Sequence, residues 1–166
     1  METTVKFDRF DLRILAILQE NGAIANQELA EQVGLTAAPC SRRVRQLEEL
    51  GVIRRRITRL DEQRINLHLT VILLVSMDKH VSERFEVFEQ AIREIPEVVE
   101  CYLVAGNHSD YQLKILVPNM ERYHELLLGS ITRIPGVSGV QSSFVLNKIV
   151  DTTALPLTYV GGGPGR

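Results

Sequence analysis

The sequence predicts an α+β chain built of two modules, a three-helix module followed by a βαββαβ unit. Three observations predict it. Apolar residues recur at helical spacing in three short segments before residue 51. A pattern of strand, helix, Ile-Pro-x-Val and strand occurs twice after residue 68. The charge changes sign between the two parts.

The first helix is predicted from Asp8, an N-cap with Asp11 in the place of a capping-box acid. Ile14, Leu15 and Leu18 supply its apolar stripe, and Asn21-Gly22 should end it through a left-handed residue. A second helix should begin near Asn26, which takes over the cap because Ala25 cannot serve. It buries Leu29, Ala30 and Val33, and Gly34 breaks it. Thr36 is a suitable N-cap for the third helix, Pro39 fits its first turn, and Gly51 stops it. Two short helices around a glycine-containing turn are the helix-turn-helix pattern.

The third helix has two distinct stripes. Cys40, Val44 and Leu47 should face the core, while Ala38, Ser41, Arg42 and Arg45 should face outward. Small residues allow close approach to a groove, and arginines reach phosphates or guanine edges. Between Thr36 and Arg59 lie seven arginines and two glutamates, although the chain's net charge is −2. This distribution points to double-stranded DNA, with Thr36, Ala37, Ala38, Ser41, Arg42, Arg43, Arg45, Arg54 and Arg56 as candidate contacts. A solvated charged face is the plain alternative. Residues Gly51–Leu60 read as a strand, and Asp61–Asn66 as a polar, defined hinge.

The second module reads as a strand over Leu69–Met77, a helix carrying Phe85, Phe88, Ile92 and Ile95, and a strand to Ala105. A strand over Tyr111–Val117, a helix carrying Met120, Tyr123, Leu127, Ile131 and Ile134, and a strand to about Leu146 follow. A proline should end each helix. This is the ferredoxin-like arrangement. From Leu67 to Val150 ten acids face seven bases. The predicted division is therefore 1–60 for DNA binding, 61–67 as hinge, 68–150 as the ferredoxin-like unit, and 151–166 as a tail. The glycine run from Gly161 lacks the following helix that a phosphate loop needs, and a disordered end is expected.

Cys40 and Cys101 fit no metal spacing and should be small buried free thiols. The four histidines show no metal-ligand spacing, and no cofactor is expected. The run Val71–Val75 is too short to span a bilayer, and the first residues carry no apolar stretch, so the default location is cytoplasmic. His108, Ser109 and Asp110 stand side by side, but a catalytic triad is defined by spatial roles, and nothing else suggests an enzyme.

The loop Ala105, Gly106, Asn107, His108, Ser109, Asp110 and Tyr111 has donors and acceptors suited to a zwitterion. Backbone N–H groups would take a carboxylate and Asp110 an ammonium. A tight turn with its own hydrogen bonds explains the same residues. Gln141, Ser142 and Ser143 interrupt an apolar strand and are candidates for the same pocket.

The segments FDRFDLRILAILQENGAIANQELAEQVGLTAAPCSRRVRQLEELGVIRR, VECYLVAGNHSDYQLKILVPNM and IPGVSGVQSSFVLNKIV resemble the Lrp/AsnC family of transcription regulators. The likeness runs from about Phe7 to Val150. It implies a winged helix-turn-helix domain and a RAM-type effector domain. It also implies homodimers that assemble to octamers or higher arrays, and an amino-acid effector that shifts assembly or DNA affinity. The loop departs from the family's glycine–acid–x–Asp–Tyr by one extra residue and by Asn107 in the first acid's place. A DNA-wrapping, nucleoid-type architectural protein without effector sensing is the alternative.

Overall fold

A computed structural model describes residues 6–106 and 109–160. The described residues divide into two compact units, 6–59 together with 150–160, and 60–149.

The first unit contains α1 (Arg9–Glu20), α2 (Asn26–Val33) and α3 (Ala37–Glu49). Asp8 closes a full capping box. Its Oδ1 accepts from the N–H of Phe10 at 2.8 Å and of Asp11 at 2.9 Å, and Asp11 Oδ2 accepts from Asp8 N–H at 3.0 Å. These bonds satisfy donors that a helix start otherwise leaves open. The end of α1 differs from expectation. Asn21 has φ −137°, not a left-handed value. Its side-chain oxygen accepts from Ala23 N–H at 3.1 Å, so an Asx turn redirects the chain.

Two caps are also different. Asn26 lies inside the first turn of α2 and does not cap it; its amide instead donates to the Ala37 carbonyl at 2.9 Å, tying the starts of α2 and α3. Thr36 occupies the N-cap position of α3, but its hydroxyl makes no cap bond. Gly34 at φ 83° and Gly51 at φ 70° take the left-handed conformation expected of helix stops. Ile14, Leu29, Ala30, Val33, Cys40, Val44 and Leu47 form the buried core.

Gly51–Leu60 is not a strand. The N–H groups of Val52 and Ile53 both reach back to Leu47 O, at 3.0 and 3.1 Å. Beyond them Ile57 and Leu60 are exposed, and the segment has no ladder partner among the described residues. Alternating apolar residues suggest a strand, but a strand forms only where a neighbour takes its hydrogen bonds. Residues 151–160 are part of the first unit. The Gln19 side chain donates to Leu155 O at 3.2 Å and accepts from Leu155 N–H at 2.9 Å. Arg59 donates to Asp151 O at 3.1 Å and pairs with its carboxylate. The glycine run 161–166 lies outside the described residues.

The second unit contains β1 (Leu69–Met77), α4 (Ser82–Arg93), β2 (Val98–Leu103), β3 (Tyr111–Val117), α5 (Met120–Gly129) and β4 (Val137–Phe144). The sheet is antiparallel in the order β2-β3-β1-β4. Ahead of it, Gln63–Ile65 forms a 3₁₀ turn, with the N–H groups of Gln63 and Arg64 on Asp61 Oδ1. Alternate residues of β1 and β3 are buried: Val71, Leu73, Val75 and Met77, and Tyr111, Leu113, Ile115 and Val117. Phe88 and Ile92 of α4 and Tyr123 and Leu126 of α5 complete that core. The opposite sheet face carries Thr70, Ile72, Leu74 and Ser76, all half-buried.

Three details correct the expectations from sequence. β2 ends at Leu103, two residues before Ala105. α5 stops at Gly129, well before Pro135, and a 3₁₀ turn over Ile131–Arg133 resets the stripe. Within α5, Leu126 is buried, while Met120 is half exposed. Cys101 is exposed, because β2 is an edge strand, whereas Cys40 is buried as expected and its burial pushes the thiol up.

Gly136 has φ 100°, and a Cβ there would stand 2.9 Å from Met77 Cε. Gly129 has an ordinary φ and open space. Urea melts should show Gly136→Ala destabilised by about 1–3 kcal/mol. Gly129→Ala should be neutral or more stable by up to about 1 kcal/mol.

Candidate nucleic-acid interface and ligand loop

The buried stripe of α3 fixes which side faces out. With Cys40, Val44 and Leu47 inside, Thr36, Ala37, Ala38, Ser41, Arg42 and Arg45 are all exposed. Among the described residues no carboxylate pairs with Arg42, Arg45 or Arg54. Asn26, Ser41, Arg45, Glu48 and Arg56 line an open groove of about 320 Å³, floored by Leu18, Ile24, Leu29 and Val44. Arg56 is partly committed, since its guanidinium lies 3.3 Å from Glu48.

Arg43 departs from the expected set. Its Nη1 lies 2.8 Å from both Asp8 and Asp11, and its guanidinium stands over the Phe10 ring at 5.4 Å. The hydrogen bond to Asp11 raises its pKa further, against desolvation. Its spacing from Cys40 is i+3, which places it on the border of the core stripe. That spacing is visible in the sequence, but the outward-pointing arginines on either side disguise it.

In the second unit, the β2–β3 connection begins with Val104, Ala105 and Gly106, the last at φ 88°. Asn107 and His108 lie outside the described residues. Ser109 is half-buried. Asp110 is anchored on four sides. Its N–H donates to Val75 O at 2.9 Å, and its carbonyl accepts from Val104 N–H at 2.8 Å. Its Oδ2 accepts from Met77 N–H at 2.7 Å, and His80 Nε2 lies 2.7 Å from Oδ1. The carboxylate expected to hold a ligand ammonium is thus already engaged by the end of β1 and by His80.

Tyr111 is a core residue, not a pocket wall. It is 1% exposed, its hydroxyl donates to Glu89 at 3.0 Å, and its ring packs on Phe85 and Phe88. Burial, then the Glu89 carboxylate, push its phenol far above the usual range. Gln141, Ser142 and Ser143 do not share a surface. Ser142 lies opposite Leu73, turns to the helices and sits 2.5 Å from Tyr123 Oη. Gln141 and Ser143 lie opposite Leu74 and Ile72, on the other face. A strand sends successive side chains to opposite faces, so three consecutive residues cannot line one pocket from a single chain.

A second groove, of about 380 Å³, sits at the far end of β3 from this loop. It is lined by Leu67, Pro96, Glu97, Val99, Leu116, Pro118 and Arg122. Arg122 reaches Glu97 through Nε at 3.0 Å and Nη2 at 2.5 Å. Burial works against Glu97's charge, but these bonds outweigh it and hold its pKa below the usual carboxylate value. No motif in the sequence marks this groove, since its residues come from four separated segments. No group of three or more potential metal ligands occurs among the described residues.

The comparisons fall on both units. A winged helix-turn-helix DNA-binding family matches residues 7–54, and the Lrp/AsnC ligand binding domain matches residues 70–155. The Bkd operon transcriptional regulator of Pseudomonas aeruginosa is 37% identical over 92% of this chain and 99% of its own. The leucine-responsive regulatory protein of Salmonella typhimurium is 36% identical over 89% of this chain and 90% of its own. A transcriptional regulator of Neisseria meningitidis, solved as its L-Met complex, superposes with TM-score 0.89 at 37% identity, covering 93% and 99% of the two chains. AsnC of Escherichia coli shares the fold, with TM-score 0.83 at 19% identity over 92% of this chain and 100% of that one.

Asp110→Ala would leave the Met77 N–H without its partner. Urea denaturation should show a loss of about 1–3 kcal/mol. Asp110→Asn, which keeps an acceptor oxygen, should lose less.

Proposed function

Because the chain belongs to the Lrp/AsnC family of transcription regulators, with a DNA-binding helix-turn-helix and a ligand-binding domain, we propose that it binds operator DNA through the outward face of α3 under control of an amino acid. The observation that carries the DNA contact is the set of exposed Arg42 and Arg45, without a carboxylate partner among the described residues, beside small Ala38 and Ser41 on the side away from the core. Small residues admit the helix to the major groove, and the two guanidiniums reach base edges or phosphates. Thr36 and Ala37 lie at the leading end of the same face. Arg54 and Arg56, in the extended segment behind it, steady the phosphate backbone.

The amino-acid reading is supported by the similar Neisseria regulator solved with L-Met. Ala105, Gly106, Asn107, His108 and Ser109 remain the proposed ligand loop, with backbone N–H groups for a carboxylate. Asp110 acts there by holding the loop to β1. Gln141 and Ser143 on the open sheet face are proposed to contribute from a partner chain. That face, with Ile72, Leu74 and the exposed Tyr102, supports a homodimer, which can assemble further to an octamer or higher array. Paired copies would set two α3 helices on half-sites about one helical turn apart. No helix among the described residues is long and apolar enough to cross a membrane. The proposed site of action is the cytoplasm.

Two measurements test this reading. Arg45→Ala should weaken binding to a duplex selected from a random pool. The slope of log affinity against log salt should flatten by about 0.9 for each phosphate the side chain no longer neutralises. An unchanged slope counts against a phosphate role for Arg45. Calorimetry with the twenty amino acids should show heat for at least one. Silence with all of them, together with weak sequence preference, would favour the architectural reading, which the engaged Asp110 carboxylate keeps in play.

A further inference from the structure

We infer that Arg43 is a positioning residue for DNA recognition: with Asp8 and Asp11 it locks the rotation of α3 against the start of α1. This rests on the reading that the outward face of α3 meets DNA.

The apolar contacts of α3, through Cys40, Val44 and Leu47, are non-directional. They press the helix onto the core, and the Asn26 amide on Ala37 O adds one directional bond, at the helix start. Groove recognition requires more, since a binding constellation must be held within about 10–20° of its working geometry. The Arg43 cluster supplies directional restraint. Both carboxylates are already fixed by the backbone, because Asp8 accepts from Phe10 and Asp11 N–H and Asp11 accepts from Asp8 N–H. One Nη1 then meets both at 2.8 Å, with the Phe10 ring beneath. The side chain is 28% exposed, unlike its outward neighbours. Two carboxylates around one guanidinium leave the cluster net negative, which argues against Arg43 as a phosphate contact. The short bonds resist sliding and twisting together, as charge-assisted hydrogen bonds do. Arg42 and Arg45 flank Arg43 on the same helix, so any rotation released at Arg43 is carried to both.

Electrostatics and positioning predict opposite signs for Asp11. Removing a negative charge near DNA should strengthen binding by charge alone. Positioning requires the reverse. The test uses the full chain, a duplex selected by the wild type from a random pool, and poly(dI-dC) as the non-specific reference. Arg43→Ala, Arg43→Lys, Asp11→Asn and the Arg43→Ala/Asp11→Asn double variant are compared below their melting temperatures. Asp11→Asn keeps an acceptor for Asp8 N–H.

Asp11→Asn and Arg43→Ala should each lower the ratio of specific to non-specific affinity by about tenfold. The salt slope should be unchanged, the double variant no worse than either single one, and Arg43→Lys partly restored. A slope flattened by about one for Arg43→Ala would make it a phosphate contact and overturn the inference. Folded variants that bind with wild-type specificity, or an Asp11→Asn that binds tighter, overturn it too. Additive losses in the double variant do the same. A wild type that selects no duplex overturns the DNA reading itself, and the inference with it.

Discussion

Period-two alternation along β1 governs the second unit. β1 is paired on both sides, to β3 over Leu69–Val75 and to β4 over Val71–Met77. Its inward residues, Val71, Leu73, Val75 and Met77, therefore set the phase for three strands at once. Shifting any one by a single residue would turn its whole apolar set to the wrong face. The same phase decides chemistry. It sends Ser142 to Tyr123 and leaves Gln141 and Ser143 on the other side. It buries Tyr111 while the residue before it, Asp110, bonds across to the end of β1. In the first unit the helical period does the equivalent work, with Cys40, Val44 and Leu47 inward and Ser41, Arg42 and Arg45 outward.

These periods explain what the sequence made legible. Strands β1 and β3 and the outward face of α3 could be read directly, because each is long and strongly patterned. Features that depend on a partner from elsewhere in the chain could not. Gly51–Leu60 alternates well enough to suggest a strand, yet no strand ladder among the described residues includes it. Cys101 has a core residue's chemistry but occupies an edge. Thr36 and Asn26 are good capping residues whose side chains find other roles or none.

The candidate sites divide on the same principle. The outward arginines are visible in the sequence because exposure is a local property of a helix face. Arg43 and Asp110 are not, because both are spoken for by groups far away along the chain. Arg43 lies 32 residues from Asp11, and Asp110 lies 33 from Met77. In each case a charged side chain that looks free for a ligand serves to fix a main-chain segment. Such groups shape a site without touching what it binds.

The clasp between Gln19 and Leu155 has a consequence for the order in which the molecule can be made. The first unit consists of two stretches of chain, and the second unit lies between them as an insertion. During synthesis the three helices emerge early and can pack around Ile14, but the segment that bonds Gln19 and Arg59 arrives only after β4. The helical unit thus stays unfinished while the sheet is being built, and its last hydrogen bonds close once the whole sheet has left the ribosome.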